Sequence, residues 1–173
     1  LQNNTAEPLT GRKKTFYLYP LSYKELVDNF SVLQARRLLE TRLIYGSYPE
    51  VVNNSGNEKS ILTEIAQSYL YKDILQLENI RKPSHIEKLL RALAFQVGSE
   101  VNYHELAQTI GNIDTATVEK YLDLLEKTYV IFKLPALNRN LRNEIKKGKK
   151  YYFYDNGIRN VLISNFSTLE MRM

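Results

Sequence analysis

The sequence contains no cysteine and no tryptophan, and only two of its 173 residues are histidines. Without cysteine the chain has no disulfide framework, no thiol nucleophile and no Cys-ligated zinc or iron–sulfur site. His85 and His104 both fall in the first turn of a predicted helix, where an imidazole is most often exposed. The sequence therefore predicts no Ser/His/Asp triad, no metal centre and no catalytic residue.

Long apolar segments are also missing. No segment approaches the ~20 apolar residues that are needed to cross a bilayer, and the N-terminus lacks the basic-then-apolar layout of a signal peptide. The composition, with 43% apolar and 25% charged residues, is that of an ordinary folded protein. We expect a soluble cytoplasmic protein without membrane contact. Since the chain begins with Leu1 rather than Met, we expect a piece of a longer protein.

A phosphate-binding loop and a metal-dependent nuclease motif are each matched only in part. The segment Gly11-Arg12-Lys13-Lys14-Thr15 has the basic and hydroxyl residues of a phosphate-binding loop but lacks its flanking glycines. Glu144-Ile145-Lys146 matches part of a metal-dependent nuclease signature. Three residues in a Lys-rich loop are a weak match, so a nuclease-related remnant that uses Glu144 and Asp155 is only a minor alternative.

The first half of the chain predicts a helical subdomain. Residues 15–19 are rich in strand formers, which predicts a strand that ends at Pro20. Ser22-Tyr23-Lys24-Glu25 has the layout of a capping box and predicts a helix N-terminus. Further helices are predicted over residues 31–45 and 60–79 from the spacing of their apolar positions.

The second half has the element order of a winged helix-turn-helix. Ser84, Asn102 and Asp114 are the predicted N-caps of three helices. Residues 129–134 and 150–154 predict two strands that are joined by a long loop. The predicted fold is therefore mainly α, with a helical subdomain followed by a winged helix-turn-helix with a two-stranded β-hairpin.

The positive charge is concentrated in the predicted hairpin. The net charge of the whole chain is +5. The excess of cations over the single acid Glu144 within residues 139–150 is also +5. The cations of this segment are Arg139, Arg142, Lys146, Lys147, Lys149 and Lys150. They predict a wing that neutralises nucleic-acid phosphates, beside tyrosines 151, 152 and 154, whose role is stacking or, as we favour, strand packing.

The third predicted helix of this half is acidic and argues against base reading. Its acids are Asp114, Glu119, Asp123 and Glu126, against Lys120 and Lys127. A net charge of −2 is repelled by a polyanion, so base reading by this helix would require a contact face of Thr115, Thr117 and Lys120 alone. We predict weak, wing-led, strongly salt-dependent binding of nucleic acid, or none. The alternative is a protein-interaction module, in which the winged helix packs against another domain of the same protein or a neighbouring subunit and the wing meets an acidic protein surface.

Several phrases resemble a known family. They are Leu9–Arg12, Pro20–Leu26, Tyr45–Val52, Tyr69–Leu75 and Tyr152–Gly157. In this order they are similar to the bacterial and archaeal P-loop ATPases of the AAA+-like group that carry a DUF4143 domain. The resemblance implies a fragment that lacks both Walker motifs and is not catalytic by itself.

The same resemblance implies a division of the chain and a set of partners. It gives residues 1–20 as the tail of an ATPase core, 21–83 as the helical subdomain, 84–155 as the winged helix and 156–173 as the start of a C-terminal segment. The fragment would be the regulatory, nucleic-acid-binding region of an ATPase. Its partners would be the missing ATPase core, DNA or a second copy. ATP and Mg²⁺ are implied for the parent protein, and Arg12 is implied as a residue near the γ-phosphate.

Overall fold

The structure is a computed structural model that describes residue 14 and residues 16–68, 82–135 and 149–172. The helices of the first part are α1 (Tyr23–Phe30), α2 (Val32–Arg37), α3 (Leu39–Tyr45), α4 (Pro49–Asn53) and α5 (Glu58–Ile65). The second part contains α6 (Pro83–Phe95), β1 (Glu100–Val101), α7 (Tyr103–Gly111), α8 (Thr115–Lys127), β2 (Ile131–Leu134), β3 (Lys149–Phe153), α9 (Asn156–Leu162) and a 3₁₀ helix (Leu169–Arg172). The described residues are thus mainly helical, which confirms the predicted class, and no described helix combines the length and apolar character of a membrane span.

Side-chain caps start most of the predicted helices. Ser22 and Glu25 form a complete capping box on α1, and the Asn102 and Asp114 side chains cap α7 and α8. The predicted cap at Ser84 is wrong. The helix α6 begins at Pro83, with Lys82 before it and no side-chain cap, because proline suits the first helical position, where its missing N–H is not needed.

The single helix that was predicted over residues 31–45 is two helices. They meet at Leu38, which has φ −87° and ψ 0°. The break lets α2 pack on α1 while α3 packs against α9. The predicted strand at residues 15–19 is also wrong, since residues 16–19 have no regular secondary structure.

The sheet has one strand more than the predicted hairpin. Its order is β1-β3-β2, and both pairs are antiparallel. The additional strand is the short segment around Val101, which pairs with Lys149 and is buried. A two-residue strand has too few side chains to show the alternation from which strands are predicted.

One hydrophobic cluster extends across the predicted boundary at residues 83 and 84. It contains Val51 and Leu62 from the first part and the inner faces of α6, α7 and α8 from the second. Ile158 and Leu162 of α9 belong to the same cluster, and α9 packs on α3, α5 and α6. The helical part and the sheet-bearing part therefore share a core, with α9 between them.

A buried carboxylate joins the end of β3 to the turn after α3. Asp155 is 4% exposed, caps α9 by accepting from the Ile158 amide, and accepts from the Ser47 amide at 2.7 Å. Burial raises the pKa of Asp155, while the amide donors act in the opposite direction. Two phrases that are far apart in the sequence, residues 45–50 and 152–157, thus meet at one point of the core.

Candidate functional site

The structure describes three of the predicted nucleic-acid contacts. Lys149 and Lys150 lie in β3, at the base of the basic connection, and Lys120 is an exposed residue of α8. Four further cations, Arg139, Arg142, Lys146 and Lys147, lie outside the described residues, as does Arg12. The site is therefore built from the base of the hairpin and its surroundings.

The two lysines of β3 lie on opposite faces of the sheet, because successive residues of a strand alternate. Lys150 is opposite Leu134 of β2 and Glu100 of β1, and it shares its face with Tyr152. Lys149 lies on the face that packs on the helices, with its Nζ atom 5.7 Å from the Tyr103 ring centroid. Only Lys150 of the pair belongs to the outer face of the sheet.

Six aromatic rings form a continuous patch on and beside this outer face. They are Tyr17, Tyr19, Tyr129, Phe132, Tyr152 and Tyr154, called here the aromatic patch. Phe132 stacks on Tyr152 at 5.6 Å between centroids, and Tyr19 stacks on Tyr154 at 5.4 Å. Tyr17 and Tyr19 remain 60% and 52% exposed. Aromatic surface next to a cation is the arrangement on which nucleic-acid bases stack.

The segment that carries Tyr17 and Tyr19 is anchored at its C-terminal end to the turn after α3. The Leu21 amide donates to the Ser47 carbonyl oxygen at 2.8 Å, directly after Pro20. Tyr129 adopts φ +56° in the turn between α8 and β2, which is uncommon for a bulky residue. The rings of the patch that lie away from β3 were not predicted from the sequence. The alternation of Tyr152 and Tyr154 with buried residues indicates an outward-facing aromatic pair, but only in and next to β3.

Tyr151 packs inside the fold, as the strand-packing interpretation predicts. It is 3% exposed, and its hydroxyl lies 2.6 Å from the Tyr103 hydroxyl. Burial and this hydrogen bond raise the pKa of Tyr151 far above its ordinary range. The pair joins β3 to the first residue of α7 and so fixes the base of the hairpin.

We expect Tyr151→Phe to lower the free energy of unfolding by about 1 kcal/mol, the net contribution of a typical hydrogen bond. Tyr103→Phe should cost a similar amount, and the double variant should cost little more than either one. Urea denaturation followed by circular dichroism measures all three values. Fully additive losses would show that the two hydroxyls do not act as a pair.

The acidic surface of α8 is partly neutralised by neighbouring lysines. The Lys133 Nζ atom of β2 lies 3.0 Å from Glu126, and this hydrogen bond raises the pKa of Lys133. Lys127 lies 3.8 Å from Asp123. Asp114 is engaged with Thr117, whose hydroxyl and amide lower the pKa of the Asp114 carboxylate. These contacts reduce the negative charge of the α8 surface, but they do not give it an excess of positive charge for phosphate contact.

The structure gives no support to the minor nuclease alternative. Asp155 is buried and already accepts two backbone hydrogen bonds, and Glu144 lies outside the described residues. Within the described ranges no three His, Cys, Asp or Glu side chains come together as metal ligands. His85 is half-buried in the first turn of α6, and burial lowers its pKa, while His104 is exposed in α7.

Comparisons with known proteins give a family without a known activity. Residues 36–169 match the model of a family that is described as a domain of unknown function, DUF8612. An uncharacterized protein of Haemophilus influenzae is 29% identical over 168 residues, which are 92% of this chain and 42% of that protein. An uncharacterized protein of Methanocaldococcus jannaschii is 24% identical over 151 residues, which are 78% of this chain and 34% of that protein. No solved structure matches the chain.

These matches correct the resemblance to P-loop ATPases with a DUF4143 domain, which is wrong. Two of the segments on which the resemblance rested, residues 45–52 and 152–157, contain the residues that meet around Asp155. Packing at this point gives a structural reason for the residue types in both segments. The ATPase core, ATP and Mg²⁺, and the role of Arg12 rested only on that resemblance and lose its support. The chain spans between one third and about two fifths of the length of these relatives. Because the matched residues make up well over half of the chain, the protein belongs to the DUF8612 family.

Proposed function

We propose that residues 82–155 form a winged helix-turn-helix that binds nucleic acid through its phosphate backbone. The observation that carries the proposal is the order α6, β1, α7, α8, β2, β3 together with the strand order β1-β3-β2. Three helices and an antiparallel hairpin in this order are typical of a winged helix. The connection between β2 and β3 is then the wing, and it carries the cationic segment of the sequence.

The outer face of the sheet supports a contact centred on the hairpin. Lys150 lies on this face with the aromatic patch, so phosphates and bases can be contacted from one side. The face also carries Glu100, opposite Lys150, which makes the cations of the wing necessary for a net attraction. Binding would therefore depend mainly on electrostatic attraction and would discriminate little between base sequences.

The acidic α8 favours backbone contact over base reading. In many helix-turn-helix proteins the equivalent helix enters the major groove. Here its exposed acids, among them Glu119 and Asp123, would face phosphates across that groove and be repelled. Lys120 is an exposed cation of this helix and is retained as a candidate phosphate contact.

The proposal is tested by fluorescence anisotropy with a labelled duplex and a labelled single strand, titrated over salt concentration. We expect binding at about 50 mM salt and an affinity that falls about a hundredfold by about 200 mM, as for roughly four neutralised phosphates. Replacing Lys146, Lys147, Lys149 and Lys150 with Gln should make the negative slope of log affinity against log salt shallower by about 3.

The matched control is Lys24→Gln/Lys59→Gln, which removes two exposed cations from α1 and α5 and should leave the affinity nearly unchanged. Lys149→Gln/Lys150→Gln removes the same charge from the base of the hairpin and should weaken binding. No binding at about 50 mM salt would overturn the proposal and favour the alternative in which the wing meets an acidic protein surface. Equal affinity of the control and hairpin variants would remove the hairpin from the contact.

A further inference from the structure

Arg42 of α3 is a buried cation with few partners. Its side chain is 8% exposed, although arginine is almost never fully buried unless it is paired. The Nη1 atom donates to the Gly46 carbonyl oxygen at 3.4 Å, which is long for an N–H···O bond. Among the residues that the structure describes, the buried Nε atom has no hydrogen-bond partner. A guanidinium has five N–H donors, and among the described residues one acceptor, the Gly46 carbonyl oxygen, is bonded to this one.

The charge of Arg42 is balanced only at a distance. Glu58 and Asp155 both act on Arg42 electrostatically, but within the described ranges no carboxylate lies within 4.0 Å of its guanidinium. Asp155 is occupied by the Ser47 and Ile158 amides. Burial accordingly lowers the pKa of Arg42. A buried charge without a close partner costs free energy unless something else supplies the partner.

A cavity of about 170 Å³ lies beside this arginine, among α1, α2, α3 and α4. Its wall has one cation, Arg42, and two neutral polar residues, Gln34 and Ser55, and its other residues are apolar: Leu26, Phe30, Ala35, Leu38 and Val52. A water molecule occupies about 30 Å³ in the liquid, so the cavity has room for a small organic molecule of several carbon atoms. A cavity whose wall is mostly apolar and carries one cation favours an anion that also has an apolar group. A small, fully hydrated anion would lose its hydration there without gaining apolar contacts.

We propose that this cavity binds a small monocarboxylate with a short apolar tail, with the carboxylate on Arg42. A carboxylate accepts two parallel N–H bonds from the two Nη atoms of one guanidinium, and it would bring to Arg42 the close negative charge that the described residues do not provide. The tail lies among Leu26, Phe30 and Val52, where its burial adds to the affinity. The site is separate from the hairpin and does not rest on the proposed nucleic-acid binding.

The test uses hexanoate as the probe and hexanamide, its uncharged equivalent, as the control ligand. In ¹H–¹⁵N spectra of the 173-residue chain, hexanoate should shift one arginine Nε–H signal saturably, with a Kd of about 1 mM or below. At about 10 mM it should raise the Tm by about 4 °C, because a ligand stabilises the state that binds it. Hexanamide should do neither. Equal effects of the two ligands, or no effect of hexanoate, would overturn the proposal.

Substitutions at three positions test whether hexanoate binds at Arg42. Arg42→Met keeps the volume of the side chain, removes the charge, and should abolish the response to hexanoate. Arg37→Met, at an exposed position of α2, is the matched control and should respond like the unchanged protein. If Arg42→Met does not fold, Ala35→Leu fills the cavity while it keeps the arginine, and it should abolish the response as well. An unchanged response in either of these two cavity variants would contradict the assignment.

Discussion

Gly46→Ala should lower the free energy of unfolding by at least about 3 kcal/mol. Gly46 has φ +76°, a conformation that residues with a Cβ atom rarely adopt. A Cβ atom at this position would also overlap the Oδ1 atom of Asp155, which is buried and held by two amides. Urea denaturation followed by far-ultraviolet circular dichroism measures the loss.

A double-mutant cycle separates the two causes of this loss. Asp155→Ala leaves the Ser47 and Ile158 amides without their acceptor and should cost about 3 kcal/mol by itself. In that background the steric overlap is gone, so Gly46→Ala should cost only the backbone strain, about 1–2 kcal/mol. The coupling between the two positions should therefore exceed about 1 kcal/mol. Losses that add to within about 0.5 kcal/mol would show that Gly46 and Asp155 do not touch.

Gly157→Ala is the second substitution for which we expect a large effect. Gly157 lies in the first turn of α9, and an added Cβ atom would overlap the Tyr45 carbonyl oxygen and come within 2.8 Å of Leu62 Cδ2. The obstacle is backbone, so it cannot rotate away as a flexible side chain would. We expect a loss of about 3 kcal/mol or more in the free energy of unfolding, and separation of α9 from α3.

Asn156→Ala is the matched control for this substitution, since Asn156 is the exposed neighbour of Gly157 in the same helix. It should change the stability by about 0.5 kcal/mol or less. If the two variants have the same m-value, their denaturant midpoints compare their free energies of unfolding directly. A Gly157→Ala variant as stable as Asn156→Ala would mean that α9 does not approach α3 as closely as described.

Local signals in the sequence predicted where several helices begin. Ser22 with Glu25, Asn102, and Asp114 start α1, α7 and α8 because capping depends only on residues within one turn. The break at Leu38 was not predictable in this way, because it follows from packing α2 and α3 on different partners. Likewise, Asp155 is 108 residues from Ser47, and no local pattern connects them.

The candidate site was predictable in its charge but not in its shape. The cluster of cations around residues 139–150 is visible in composition alone. The aromatic patch is not, because Tyr17 and Tyr19 reach the sheet from a segment without regular structure. Arg42 was indistinguishable from its exposed neighbours Arg36 and Arg37, since only tertiary packing buries one of the three.

The direct passage from β3 into α9 has a consequence for the entropy of binding at the hairpin. Only Tyr154 and Asp155 separate the strand from the helix, and Asp155 is bonded to both α9 and the Ser47 turn. The base of the hairpin is therefore ordered before any ligand arrives. A ligand that contacts Lys150 does not have to immobilise this strand, so it loses less conformational entropy than it would on a free hairpin. The rigid core junction, which includes Tyr154 of the aromatic patch, would thus lower the entropic cost of the binding proposed for the hairpin.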